Sequence, residues 1–206
     1  MFGRFQLAGN KPGAVRSDAE MCALNKSAAD LAFKTQKKIL DRYLAERNFL
    51  KYQTGSYIRR NPLDVLEYIN LQKESHGSRT FTVNYALVPM YIPQTSFSFV
   101  LGDRLGILIC GRDVWWDYAD DEIAAVSFQN VTDAIERFLL PWFREKADHA
   151  EIRRELLKEK RTREQYGGRL SGIQQAWLDA LDHPADADAV IRENARVFRL
   201  PQKLFC

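Results

Sequence analysis

Between Phe49 and Cys110 the apolar residues recur every second position, whereas on either side of that stretch they recur every third or fourth. This double change of period constrains the fold more than any other feature, because a period of two buries one face of a strand and a period near 3.6 buries one stripe of a helix. Within the stretch, Ser56–Arg60 follows Gly55 and Val65–Gln72 follows the turn signal Asn61-Pro62. Thr80–Met90 then sets Phe81, Val83, Tyr85 and Leu87 against Thr82, Asn84 and Ala86. The links Asn61-Pro62-Leu63-Asp64 and Glu74-Ser75-His76-Gly77-Ser78 are far shorter than the roughly dozen residues of a parallel crossover, so the strands must pair antiparallel. Two more strands are expected at Ser96–Leu101 and Leu105–Cys110, with Gly102-Asp103 closing a hairpin or a bulge between them. The fold class is therefore α+β: an antiparallel four- to five-stranded sheet packed against helices, with additional C-terminal helices.

Ahead of the sheet, Ala29, Ala32, Phe33, Leu40, Tyr43 and Leu44 predict a helix over 28–47, opened by a capping box at Ser27-x-x-Asp30. Behind it, Phe128, Val131, Ile135, Phe138 and Trp142 predict a helix over 122–140 whose start, Asp120-Asp121-Glu122, complements the helix dipole. Pro141 should kink that helix or begin a new one, since proline lacks an amide donor and suits a first turn. Ile152, Leu156 and Leu157 give the next helix only a thin apolar stripe, and Glu151/Arg154, Glu155/Lys158 and Glu159/Arg163 can pair along its exposed side. After the break at Gly167-Gly168 come two short amphipathic helices separated by Pro184. One carries Ile173, Ala176, Trp177, Ala180 and Leu181, the other Ala187, Val190, Ile191 and Asn194. This organisation divides the chain into a loosely ordered N-terminal arm over 1–26 with one helical turn near Ala19–Leu24, an α+β core domain over 27–146 and a C-terminal helical extension over 147–206.

Charge and cysteine usage narrow the function classes. Thirty Lys and Arg against 27 Asp and Glu leave a net charge of +3, so there is no strong nucleic-acid signal. Cys22, Cys110 and Cys206 lie far apart without a C-x-x-C pair, which suits a reducing cytoplasm. No apolar run has the length of a signal peptide or a membrane span, so a cytoplasmic location with no membrane association is expected. His76, His149 and His183 are scattered and follow no metal-ligand spacing, and no metal or cofactor is expected. The glycines at 102, 106 and 111 match neither a dinucleotide-binding fingerprint nor a P-loop, and no G-x-S-x-G elbow occurs. Cys110, ending an aliphatic strand, is expected to be buried and inert rather than a nucleophile paired with His76.

The distinctive stretch is Arg104-Leu105-Gly106 followed by Asp113-Val114-Trp115-Trp116, with Asp117, Asp120, Asp121 and Glu122 close behind. The carboxylates lack calcium-loop spacing and are expected to form a solvated helix start. Neighbouring strand residues point to opposite faces, so Trp115 and Trp116 cannot both be buried unless both faces are covered. One is expected in the core, and either could instead offer a stacking platform. Asn70, Gln72 and Asn84 fall on strands, where a convergent amide cluster could line a pocket, and Arg59, Arg60 and Arg104 could turn such a pocket toward anions. Taken in order, Asn70-Leu71-Gln72-Lys73, Phe81-Thr82-Val83-Asn84, Arg104-x-Gly106 and Asp113-x-Trp115-Trp116 resemble the bacterial family named domain of unknown function 4304, over about residues 28–146. The resemblance implies a small α+β domain without an established activity and brings no catalytic residues with it.

With no catalytic set in the sequence, the leading expectation is a non-catalytic protein-interaction protein, either immunity- or antitoxin-like and masking a partner, or an accessory subunit. The alternative is a small-molecule-binding domain or enzyme with a pocket near Arg104, Asp113 and Trp116. The candidate ligand- or partner-binding residues are Arg104, Asp113, Trp115, Trp116, Asn84 and Trp177. Trp177 is included because a short amphipathic helix is stable only when its stripe is covered, by the chain's own core or by a protein partner.

Overall fold

The computed structural model describes residues 18–182 and 187–205. Of the arm expected over residues 1–26, residues 1–17 lie outside the described residues, as do His183, Pro184 and Cys206, and residues 18–26 are helical rather than loosely ordered. Helix α1 runs Asp18–Ala45, so it extends ten residues beyond the expected start at residue 28; Ser27 and Asp30 lie inside it and do not cap it. The sheet follows as β1 (Leu50–Lys51), β2 (Ser56–Arg60), β3 (Val65–Lys73), β4 (Thr80–Pro89), β5 (Leu101–Arg104) and β6 (Trp116–Asp117). All its pairings are antiparallel, in the order β1-β2-β3-β4-β5, and β6 pairs with the opening residues of β4.

The register assigns each side chain to a face. Val83 opposes Leu71, Tyr85 opposes Ile69 and Leu87 opposes Glu67, so these residues share one face. Phe81, Val83, Tyr85 and Leu87 are all buried in the main core with Ala32, Phe33 and Leu40 of α1. The other helical contribution comes from α3 (Asp121–Ala134), through Ala124, Phe128 and Val131. The ring of Phe33 packs edge-on against Phe81 and Phe128, with centroids 5.3 and 5.2 Å apart, joining the two helices to the sheet. Asp120 caps α3 by accepting the Ile123 N–H at 2.8 Å, which accounts for that part of the acidic run.

Two expectations between residues 96 and 110 are overturned. Residues 96–100 form no strand, and pairing begins only at Leu101, opposite Leu87. Leu105–Cys110 is a helix, α2, which ends at Gly111 in the left-handed conformation with φ of 72°. With Leu105, Ile107, Leu108 and Ile109 and no polar residue to mark a phase, the segment fits either period, and here tertiary packing decides. Gly106 lies so close to the 112–114 backbone that a Cβ would stand 2.5 Å from the Val114 nitrogen. Cys110, expected buried, is exposed on the last turn of α2, its thiol 3.4 Å from the Gly106 carbonyl.

After α3 the backbone widens into a π-helical turn at Ile135–Leu139, and α4 (Leu140–Glu145) begins with Pro141 in its first turn. Phe138, expected on the apolar stripe, is exposed because the widened turn shifts the helical phase after Ile135. Helix α5 (His149–Gln165) is charge-rich, yet Ile152 and Leu156 are fully buried in the main core. Helix α6 (Gly172–Asp182) adds Trp177 and Leu178 to that same core, while Ala176 of the expected stripe is exposed.

Part of the second face of the sheet is covered by the C-terminal helix and the residues that follow it. Helix α7 (Asp188–Val197) and the residues after it bring Ile191 and Phe198 against Leu66, Val88 and Met90. Asn194 locks this cover in place: its Nδ2 donates to the Met90 and Ile92 carbonyls at 2.8 and 2.7 Å, and its Oδ1 accepts the Gln94 N–H at 3.1 Å. Asn194→Leu leaves three buried backbone groups without partners, so urea unfolding should show a loss of about 3 kcal/mol. A change below about 0.5 kcal/mol would mean that water reaches these groups.

Candidate functional site

The rest of the second face carries a row of polar residues in direct cross-strand register, buried at Ser56, half-buried at Asn70, Asn84 and Arg104, and exposed at Gln72. Ser56 opposes Asn70, Asn70 opposes Asn84 and Asn84 opposes Arg104, so the row crosses β2, β3, β4 and β5 without interruption. The side chains form a relay. Asn84 Nδ2 donates to Asn70 Oδ1 at 3.1 Å and to Gln72 Oε1 at 3.0 Å, and Asn70 Nδ2 donates to Ser56 Oγ at 3.0 Å. Ser56 Oγ and the Tyr68 hydroxyl lie 2.8 Å apart and complete the chain. Such a network holds each amide in one orientation, from the buried Ser56–Tyr68 pair out to the exposed Gln72.

One margin of this row is built by the loop after α2. Asp113 forms an ion pair with Arg104 and accepts the Trp115 Nε1 proton at 2.9 Å, while the Arg104 guanidinium lies 5.1 Å from the Trp115 ring centroid. The Thr82 hydroxyl ties the loop to β4 by donating to the Val114 carbonyl at 3.0 Å. Trp115 is therefore oriented by a carboxylate and an arginine while remaining 36% exposed. The opposite margin is aromatic: Phe97 and Phe99 both lie 5.0 Å from the Tyr68 ring, and Phe99 is 57% exposed.

Of the six sequence candidates, four converge here: Asn84, Arg104, Asp113 and Trp115. Trp116 does not join them. It opposes Phe81 and is buried in the main core, so the thickness of the sheet separates it from Arg104 and Asp113, and these three residues line no common pocket. Trp177 is fully buried, its Nε1 donating to the Tyr91 hydroxyl at 2.7 Å, so its stripe is covered by the chain itself. The arginines do not make an anion pocket either, because Arg59 is paired with the buried Glu67, Arg60 with Asp64 and Arg104 with Asp113. Burial raises the Glu67 pKa and Arg59 opposes that rise, as expected of a carboxylate held in the core by one guanidinium.

Sequence reasoning passed over Ser56, Tyr68 and Phe99. The signal for the first two was present in the alternation, since Ser56 and Tyr68 share the strand phase of Asn70; Phe99 lies in an irregular segment that carries no such phase. The chemistry of the site is recognition by hydrogen bonds, one aromatic plate and one guanidinium. Among the described residues no group of three or more His, Cys, Asp or Glu is arranged to hold a metal ion, and no helix is long and apolar enough to cross a membrane.

Residues 40–145 match the family model described as a domain of unknown function, DUF4304, a span that contains the entire sheet and every residue of the candidate site. No curated protein and no solved structure matches the chain.

Proposed function

The chain belongs to the DUF4304 family of domains of unknown function, and we propose that here the domain is a non-catalytic binding module that captures a protein partner on the open half of its sheet. The observation that carries this reading is the amide relay from Gln72 to Tyr68, bordered by the exposed Trp115 and Phe99. Oriented aromatics and an arginine around fixed hydrogen-bonding groups have the composition of protein interfaces, where a few such residues supply most of the affinity. A surface of this kind would serve an immunity- or antitoxin-like protein that masks its partner, or an accessory subunit.

The test begins with the intact chain as bait, followed by identification of the captured protein and titration of the purified pair. Trp115→Ala should weaken that complex at least tenfold, as loss of an aromatic anchor does at interfaces, while the melting temperature stays within about 2 °C. Phe99→Ala should weaken it on the opposite margin. A partner that binds both variants with wild-type affinity places the contact elsewhere and removes the proposal.

A further inference from the structure

On the other face of β5 lies a groove of about 490 Å³, walled by β4 and β5 on one side and by α2, α4 and α5 on the others. We propose that this groove is a binding site for a small aliphatic amine, held by Asp103, the Tyr85 hydroxyl and the Trp142 ring. Its size falls within the range of small-molecule sites, which run from roughly 300 to 1,000 Å³.

The groove holds a phenol and a carboxylate that its own cations do not pair with among the described residues. Tyr85 is 6% exposed and lines the groove, and its hydroxyl makes no hydrogen bond with any described residue. Asp103 lies directly opposite Tyr85 in the β4–β5 register, so the carboxylate and the phenol are neighbours on one face. Asp103 accepts only the Arg104 backbone N–H, at 2.7 Å, and has no cationic partner among the described residues. The groove's own cations cannot serve it. Lys146 is buried and committed to Glu145, Glu155 and Glu151, at 2.9, 3.4 and 3.8 Å. Lys158 is held 3.4 Å from Glu155, and the remaining lining carboxylate, Glu159, is taken by Arg163 at 2.6 Å.

The charge of a fitting ligand follows from the same groups. Burial, and then the Asp103 and Glu155 carboxylates, push the Tyr85 hydroxyl far above its usual pKa, so the phenol stays neutral and sits in a negative field. An anion would meet Asp103 and Glu155; an ammonium group satisfies the carboxylate and donates to the phenol oxygen at once. Trp142 packs edge-on to Tyr85 with centroids 4.9 Å apart and supplies an aromatic wall that also favours a cation. Leu101, Ile107 and Leu108 give apolar surface for an alkyl stem. The site is separate from the partner-binding face, so either can fail without the other.

The probe is 1,4-diaminobutane, titrated calorimetrically into the full chain at low ionic strength, with 1,4-butanediol as its uncharged counterpart. The diamine should bind with one site and a Kd of about 1 mM or tighter, and the diol should give no saturable heat. Asp103→Asn keeps the oxygen that accepts the Arg104 N–H but removes the charge, and should weaken binding at least tenfold. Tyr85→Phe keeps the ring against Trp142 and should weaken it about threefold to tenfold without lowering the melting temperature, since the hydroxyl bonds no described residue. Glu122→Gln, an exposed charge on α3, should leave binding unchanged. Absence of saturation by about 10 mM, equal binding of the diol, or equal losses from Glu122→Gln and Asp103→Asn would each overturn the assignment.

Discussion

A chain carrying Val83→Asp is expected to show no cooperative thermal unfolding and to elute as aggregate or expanded chain. Val83 is fully buried at the centre of β4, facing the α1–α3 layer, opposite Leu71. Val83 is packed within a cluster of apolar residues, so the new carboxylate must be buried among them, protonated at a cost, or exposed by breaking the layer. Whichever occurs, the cost exceeds about 4 kcal/mol, against a total stability of roughly 5–15 kcal/mol for a domain. The same charge placed one residue out of phase gives the contrast. Gln72 is exposed on the other face of β3, and Gln72→Asp should cost less than about 1 kcal/mol. Circular dichroism melts of the two variants check the register directly, because a one-residue slip would exchange their phenotypes. A cooperative wild-type melt for Val83→Asp would show that the α1–α3 layer does not cover β4.

The faces of β4 were legible in the sequence because Phe81, Val83, Tyr85 and Leu87 alternate with Thr82, Asn84 and Ala86, and the antiparallel pairing was legible because the links are short. Where alternation lapses, legibility lapses with it. Leu105–Cys110 offered four aliphatic residues among six and no polar phase, and the choice of helix over strand came from Gly106 fitting against the 112–114 backbone, a contact no local pattern encodes. The candidate site divides along the same line. Asn84, Arg104, Asp113 and Trp115 could be singled out as unusual residues, and strand phase already separated Trp115 from Trp116. The groove beneath β5 was not legible at all. It joins Asp103 and Tyr85, which pair only once β5 is correctly placed, to Trp142 and α5, elements distant in sequence.

Removing residues 168–206 is expected to leave a chain that is insoluble or molten, in contrast to a detachable extension that could be lost without harm. Two separate surfaces would be uncovered. On the helix-covered side, Trp177, Leu178 and Leu170 are buried in the main core, and loss of a buried tryptophan alone costs about 3–5 kcal/mol. On the second face, Leu66, Val88 and Met90 are fully buried beneath Ile191 and Phe198, and Asn194 satisfies the backbone that leads from Met90 toward Gln94. A central strand pair opened on that face presents apolar surface of the kind that drives association. Trp177→Ala in the full chain separates the two contributions: it should lower the melting temperature by roughly 8 °C or more while the α7 cover remains. Sedimentation and dye binding on the truncated chain, beside the melt of Trp177→Ala, decide the matter. A soluble truncated chain with a cooperative melt would mean that the sheet and α1–α5 hold together without the last two helices, and the covered half of the second face would then join the open half as a surface for the partner.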